Sequence, residues 1–231
     1  MRNVKFLIVL LCVFVMGCVY SQLPKFSVNK EIREPYYSAV NVLDYRGVDA
    51  IGSGVIVRYE KGEKTKVLTA FHVVDSYLAN GMLVPVKLAF SEEIRFMRVI
   101  KVHKKWDLAL LMSTTREKFR GVHAKIAEDS PLVGDKIIVI GNPMGHIRNV
   151  TEGVLSRIMN MGQYGIRYRT DADAIFGNSG GGMFNEDGEL VGILTAGNFL
   201  NMGSGIDPDL ILIPGSGSGT SLETIKEFLI R

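Results

Sequence analysis

Cysteine is almost absent from this chain. Of its 231 residues two are Cys, at positions 12 and 18. No pair remains downstream to form a disulfide, so a folded domain here must be held by its core alone. A surplus of one charge is missing as well. The 27 basic residues face 24 acidic ones, and setting aside Arg2 and Lys5 leaves 25 against 24. Such a balance lacks the basic surplus of a nucleic-acid binder, and no nucleic-acid partner is expected. No apolar run reaches the roughly 20 residues that carry a helix across a bilayer. Histidines are few, at positions 72, 103, 123 and 146, which limits the candidates for acid–base work. With 47% hydrophobic and 22% charged residues the composition excludes a disordered chain. The length suits one large domain or two small ones with a substantial core.

What is present begins with an export signal. Arg2 and Lys5 form a positive n-region, and Phe6 to Val15 form an apolar h-region. Val15-Met16-Gly17-Cys18 resembles a bacterial lipoprotein box, in which the cysteine becomes the lipidated first residue; Met16 is bulkier than that motif usually has. Plain signal-peptidase cleavage nearby is the alternative, and either route exports the mature protein to the periplasmic or extracellular face. The expected organisation is a lipoprotein signal over 1–17 and a tether over 18–35, with a short helix ending near Pro35. One folded domain then runs over 36–231.

That domain reads as short β-rich runs separated by Gly, Asp, Glu and Lys clusters. Candidate strands are Ala39–Leu43, Gly54–Tyr59, Lys66–Thr69, Val84–Phe90, Arg95–His103 and Leu108–Met112. After a weaker connector, Ser113 to Pro131, come Lys136–Ile140, Val150–Met159, Ile166–Thr170, Met183–Phe184, Leu190–Thr195 and Ile211–Ile213. Many short strands without long helices imply barrels or a sandwich, not a parallel α/β sheet. Two sets of about six strands favour two barrels, over about 36–120 and 132–214. The end is helical over 220–230. Thr220-Ser221-Leu222-Glu223 fits a capping box with Thr220 at N-cap, and Leu222, Ile225, Phe228 and Leu229 make one apolar face. The run Gly215 to Gly219 lacks the Lys-Ser/Thr ending of a phosphate-binding loop and reads as a flexible lead-in to that helix.

The stretch from Thr170 to Gly182, TDADAIFGNSGGG, is neither helix nor strand, since its glycines disfavour the one and offer nothing to pack in the other. Such a loop can aim successive N–H groups at one point beside Ser179, making an oxyanion hole; an ordinary glycine-rich turn is the alternative. A serine hydroxyl needs a base, and the base needs an orienting group. Every histidine precedes Ser179, which excludes the nucleophile elbow of α/β-hydrolases, where the histidine follows the serine. His72, closing the apolar run Val67 to Phe71, is the best base. His103 abuts Lys104 and Lys105 and reads as surface; His123 lies in the connector, and His146 in the loop after Gly141. Asp107, at the start of the apolar run Leu108 to Leu111, is the best orienter, because a partly buried carboxylate requires a partner. Asp75 is the weaker choice.

The order His72, Asp107, Ser179 with GNSGG resembles chymotrypsin-fold serine endopeptidases. Gly52-Ser53-Gly54-Val55-Ile56, VLTAFHVV at 67–74, DLALL at 107–111, GNPMG at 141–145, Val150 to Ser156 and Gly188 to Ile193 are similar to their Deg, or high-temperature-requirement, branch. The likeness runs from about Tyr36 to the terminal helix. It implies an all-β fold of two six-stranded antiparallel β-barrels with a C-terminal helix. It further implies a His72-Asp107-Ser179 triad acting through a covalent acyl-enzyme, and an oxyanion hole from the N–H groups of Gly177 and Ser179. Thr195, Ala196 and Gly197 become the edge that pairs with substrate backbone. Protein or peptide substrates, no cofactor or metal, and a homo-trimer follow from the same likeness. Asn178 stands where digestive relatives carry an aspartate, so no zymogen ion pair of that type is expected. The terminal helix leaves no room after it for the PDZ module of the Deg branch, so a protease domain alone is expected. Asp173 lies where trypsin places its pocket-floor aspartate, which predicts cleavage after Lys or Arg unless Asp173 turns away or is neutralised by Arg167 or Arg169. The alternative function is a silent pseudoprotease that binds peptides or an envelope partner.

Overall fold

The computed structural model describes residues 28–57, 64–88, 93–115, 122–143, 148–200 and 211–231, with 196–200 and 211–215 described by their backbone only. The export signal, Cys18 and His146 lie outside the described residues. A short helix, α1 (Arg33–Ser38), leads into β1 (Ala39–Leu43), β2 (Ala50–Val57) and β3 (Lys66–Thr69). Helix α2 (Phe71–Ala79) follows, then β4 (Val84–Leu88), β5 (Ile94–His103) and β6 (Leu108–Ser113). The second half holds β7 (Lys136–Gly141), β8 (Asn149–Asn160), β9 (Ile166–Thr170), β10 (Gly182–Phe184), β11 (Leu190–Leu200), β12 (Ile211–Ser221) and a terminal helix, α3 (Leu222–Ile230).

The strands close into two six-stranded barrels, in the order β1-β2-β3-β6-β5-β4 and β10-β11-β12-β9-β8-β7. Every neighbouring pair is antiparallel. This is the architecture expected from the sequence. Closure gives every strand a partner on both sides over at least part of its length. Alternation along the strands sorts side chains between two environments. Val40, Val42, Ile56, Val67 and Met97 fill the first barrel, and Ile137, Val139, Leu155, Tyr168 and Met183 fill the second. Their neighbours Ala39, Val55, Leu68, Ile138 and Ile140 point the other way, into a third core shared with Leu108, Phe184, Ile193 and Phe228. That shared layer joins the barrels and explains why β7 reads as a continuous apolar run: both faces are buried. Each such Val, Leu, Ile, Met or Phe side chain contributes about 1.5–3 kcal/mol on full burial. The connector also touches both halves, bridging Val57 through Ala124 and Leu190 through Ile126.

Three sequence expectations change. Helix α1 does not end at Pro35 but runs through it to Ser38; a proline in the first helical turn sacrifices no intrahelical hydrogen bond. Gly215 to Gly219 is not a flexible lead-in. It belongs to β12, pairing Gly217 with Thr170 and Gly219 with Tyr168 on one side, and Gly219 with Leu194 on the other. Glycine is needed because neighbouring atoms approach closely: a Cβ on Gly219 would lie 2.5 Å from Met183 Sδ and 2.6 Å from the Ile193 carbonyl oxygen. The N-cap of α3 is Ser221, not Thr220; its Oγ accepts the Thr224 N–H. Thr220 is a strand residue whose hydroxyl donates to the Trp106 carbonyl at 2.8 Å. Among the described residues no helix is long and apolar enough to cross a membrane.

Candidate active site

His72 sits in the first turn of α2, directly after β3, so the barrel wall sets its position while its side chain stays half exposed. Asp107 closes the turn between β5 and β6, where its backbone N–H donates to the Lys104 carbonyl. Its φ is 54°, in the left-handed region that aspartate tolerates better than bulkier residues. The carboxylate holds His72 twice. Oδ2 lies 2.8 Å from Nδ1 of the ring, and Oδ1 accepts the His72 backbone N–H at 3.0 Å. An ionised carboxylate only accepts, so the neutral imidazole carries its proton on Nδ1 and keeps the Nε2 lone pair for a substrate proton.

Ser179 lies on the loop between β9 and β10. Its hydroxyl donates to the Thr195 carbonyl at 3.4 Å, and among the described residues no hydrogen bond joins it to His72. The loop is nevertheless packed beside the histidine's element. A Cβ on Gly52 would be 3.2 Å from the Ser179 carbonyl oxygen and 2.6 Å from Val73 Cγ1, and one on Gly180 would be 3.1 Å from Ala70 N. Gly180, at φ 86°, could carry no side chain, since its Cβ would meet the Ser53 carbonyl oxygen at 2.1 Å. Within the loop the N–H groups of Asn178, Gly180 and Gly181 are bonded to Ile175, Leu194 and Asn178. Those of Gly177 and Ser179 donate to no protein group among the described residues. Unengaged donors on the residue that carries the hydroxyl and on the residue two before it can stabilise a developing oxyanion.

Strand β10 covers β11 only as far as Ile193, whereas Ala196 and Gly197 pair with Ser218 and Gly217 on the opposite side. After Ile193 the side of β11 away from β12 is met by the loop, Leu194 exchanging hydrogen bonds with Gly180 and Gly181; past Leu194 it has no strand partner among the described residues, as strand addition requires. Asp173 is exposed between buried Ala172 and Ala174, and its carbonyl accepts the Thr151 hydroxyl.

Sequence reasoning missed Arg167 as a member of this region and weighed it only as a neutraliser of Asp173. Its guanidinium donates to Thr195 Oγ1 at 3.1 Å, Thr220 Oγ1 at 2.9 Å and the Lys105 carbonyl at 3.3 Å. It therefore ties the turn that carries Asp107 to the second barrel. Burial lowers its pKa, and the charge of Asp107 opposes that shift. A cleft of about 450 Å³ opens beside it, lined also by Asp107, Met159, Met161, Tyr164 and Thr195. His103 also differs from its reading as surface. It is half-buried, stacked on Trp106 at 3.8 Å between ring centres, and burial, with Arg231 nearby, lowers its pKa. His123 is half-buried in the connector. Among the described residues no group of three or more His, Cys, Asp or Glu stands ready to hold a metal ion.

Comparison with known proteins bears on the family and the fold. The family model of the trypsin-like peptidase domain matches residues 52–193. The periplasmic serine endoprotease DegP of Salmonella typhimurium is 36% identical over 152 residues, covering 64% of this chain and 30% of that protein. The periplasmic pH-dependent serine endoprotease DegQ of Escherichia coli is 32% identical over 175 residues, covering 74% of this chain and 33% of that one. The chain thus spans about a third of the length of these curated relatives. A crystal structure of the serine endoprotease from Yersinia pestis superposes with a TM-score of 0.66 at 24% identity, over 90% of this chain and 67% of that one, and so shares the fold. With a family match across most of both barrels, the chain belongs to the trypsin-like peptidase domain family.

Proposed function

We propose that this protein is a serine endopeptidase acting outside the cytoplasm, with His72, Asp107 and Ser179 as its triad. Ser179 attacks the substrate carbonyl while Nε2 of His72 takes its proton. The N–H groups of Gly177 and Ser179 hold the oxyanion, His72 returns the proton to the leaving amine, and water then hydrolyses the acyl-enzyme. Thr195, Ala196 and Gly197 pair with the substrate backbone. The observation that carries the reading is the double hold of Asp107 on His72, through the ring at 2.8 Å and the backbone at 3.0 Å. The contact between Ser179 and Thr195 is compatible with it, because catalytic hydrogen bonds often tighten only when substrate binds.

The domain organisation belongs to the same proposal: a lipoprotein signal over 1–17, lipidation at Cys18, a tether over 18–35 and a protease domain over 36–231, assembling as a homo-trimer. The relatives named above are periplasmic proteins, which supports export. For Asp173, exposure between two buried alanines favours the outward-turned reading over a charged pocket floor, so cleavage after Val or Ala should outpace cleavage after Arg. The test of function is hydrolysis of an unfolded protein substrate by the wild type and by Ser179→Ala. Cleavage that vanishes in the variant supports the assignment. Cleavage that persists in it, or a wild type that binds peptide without cutting, contradicts it; the latter result describes the silent partner-binding alternative.

A further inference from the structure

The motif Gly52-Ser53-Gly54 takes no part in the mechanism above, yet its serine is fully buried against the candidate oxyanion turn. Ser53 comes from β2 of the first barrel. Its hydroxyl donates to the Gly177 carbonyl at 2.6 Å and accepts the Asn142 N–H at 2.8 Å. Its backbone N–H donates to the Ser179 carbonyl at 2.8 Å, and its own carbonyl accepts the Thr69 hydroxyl at 2.7 Å. One residue thus holds the carbonyls of both residues whose N–H groups are unengaged.

The turn needs such a hold. Ile175 to Asn178 is closed by the Asn178 N–H donating to the Ile175 carbonyl at 3.1 Å, and Gly177 has the φ of 92° that a type II turn requires at its third residue. Glycine adopts the opposite sign of φ about as readily. Rotation of the peptide between Phe176 and Gly177 would aim a carbonyl, in place of an N–H, at the oxyanion position. The bond from Ser53 Oγ fixes the following peptide, between Gly177 and Asn178, from the side opposite the turn's own hydrogen bond.

We propose that Ser53 is a positioning residue that holds the oxyanion turn in its N–H-inward form by anchoring the Gly177 carbonyl to the first barrel. This rests on the proteolytic reading given above. The test compares wild type, Ser53→Ala and Ser53→Cys, the last keeping the side chain's shape while weakening its donor. Active sites are counted by complete reaction with a fluorophosphonate, and kcat per counted site, KM and inhibition by a peptide aldehyde are then measured. The aldehyde's hemiacetal oxygen occupies the oxyanion position, so its affinity reports on the turn. Ser53→Ala should lose about 10- to 100-fold in kcat per site with KM changed less than about threefold, and aldehyde affinity should fall in parallel. Ser53→Cys should lie between. A folded Ala variant with kcat per site within about twofold of wild type, or a Cys variant that loses more than the Ala variant, overturns the proposal. So does a loss confined to the fraction of reactive sites, which is what a purely structural role produces. A wild type that neither cleaves nor reacts overturns the parent reading instead.

Discussion

Asp107 is the only non-glycine residue with positive φ among the described residues. The conformation costs of order 1 kcal/mol or more and persists where surroundings over-determine it. Those surroundings are visible: the Phe71 N–H donates to the Asp107 carbonyl, Thr220 holds the preceding carbonyl, and Arg167 the one before that. Asp107→Asn should preserve the fold yet lower kcat by about 10⁴-fold, because an amide can stabilise the wrong tautomer of His72; circular dichroism and single-turnover kinetics check both halves. His103 offers a second test. Its Nδ1 accepts the Trp106 backbone N–H at 3.2 Å, which only a neutral ring can do, and burial lowers its pKa. A depressed folded pKa contributes stability that is present above the unfolded value near 6.5 and is lost as pH falls through the folded value. Melting temperature should therefore drop between pH 7 and pH 5 by more in wild type than in His103→Gln.

Elements were unequally legible, and the reasons are physical. Strands such as β3 and β9 stand where their apolar patterns put them, because burial of a face is written in the spacing of apolar residues. Strand β12 was legible only at its start, Ile211–Ile213; its continuation to Ser221 was hidden because its glycines answer to the close approach of Met183 and Ile193, atoms supplied by distant parts of the chain. The cap of α3 was misplaced by one residue, since Thr220 and Ser221 have equal capping chemistry and only the path of β12 decides which hydroxyl faces the helix. Ser221→Ala should cost about 1 kcal/mol of stability with kcat unchanged. Thr220→Val should instead lower kcat, because it frees the carbonyl of Trp106 beside Asp107. Denaturant titration paired with peptide hydrolysis separates the two. At the site, motif order pointed to His72, Asp107 and Ser179, but the burial of Arg167 depends on contacts with three distant segments and left no local pattern.

At the scale of the whole molecule, the barrels are joined by polar ties as well as by their shared core. Asn142 Nδ2 donates to the Val40 carbonyl at 2.9 Å, while its Oδ1 accepts the Arg148 N–H at 3.1 Å. Arg148 in turn donates to the Ala39 carbonyl at 2.9 Å and lies over the Tyr36 ring, and burial pulls its pKa down to about 10. Removing Asn142 strands buried groups on both barrels, so Asn142→Ala should destabilise by about 1–3 kcal/mol, read as a lower denaturation midpoint with an unchanged slope. In the proposed mechanism His72 and Asp107 from one barrel activate the hydroxyl of Ser179 from the other. The most direct test is mass mapping after reaction with a fluorophosphonate. One adduct is expected, on the peptide containing Ser179, formed by wild type and slowed by orders of magnitude in His72→Ala; an unmodified Ser179, or one that reacts equally fast without the histidine, would contradict the mechanism.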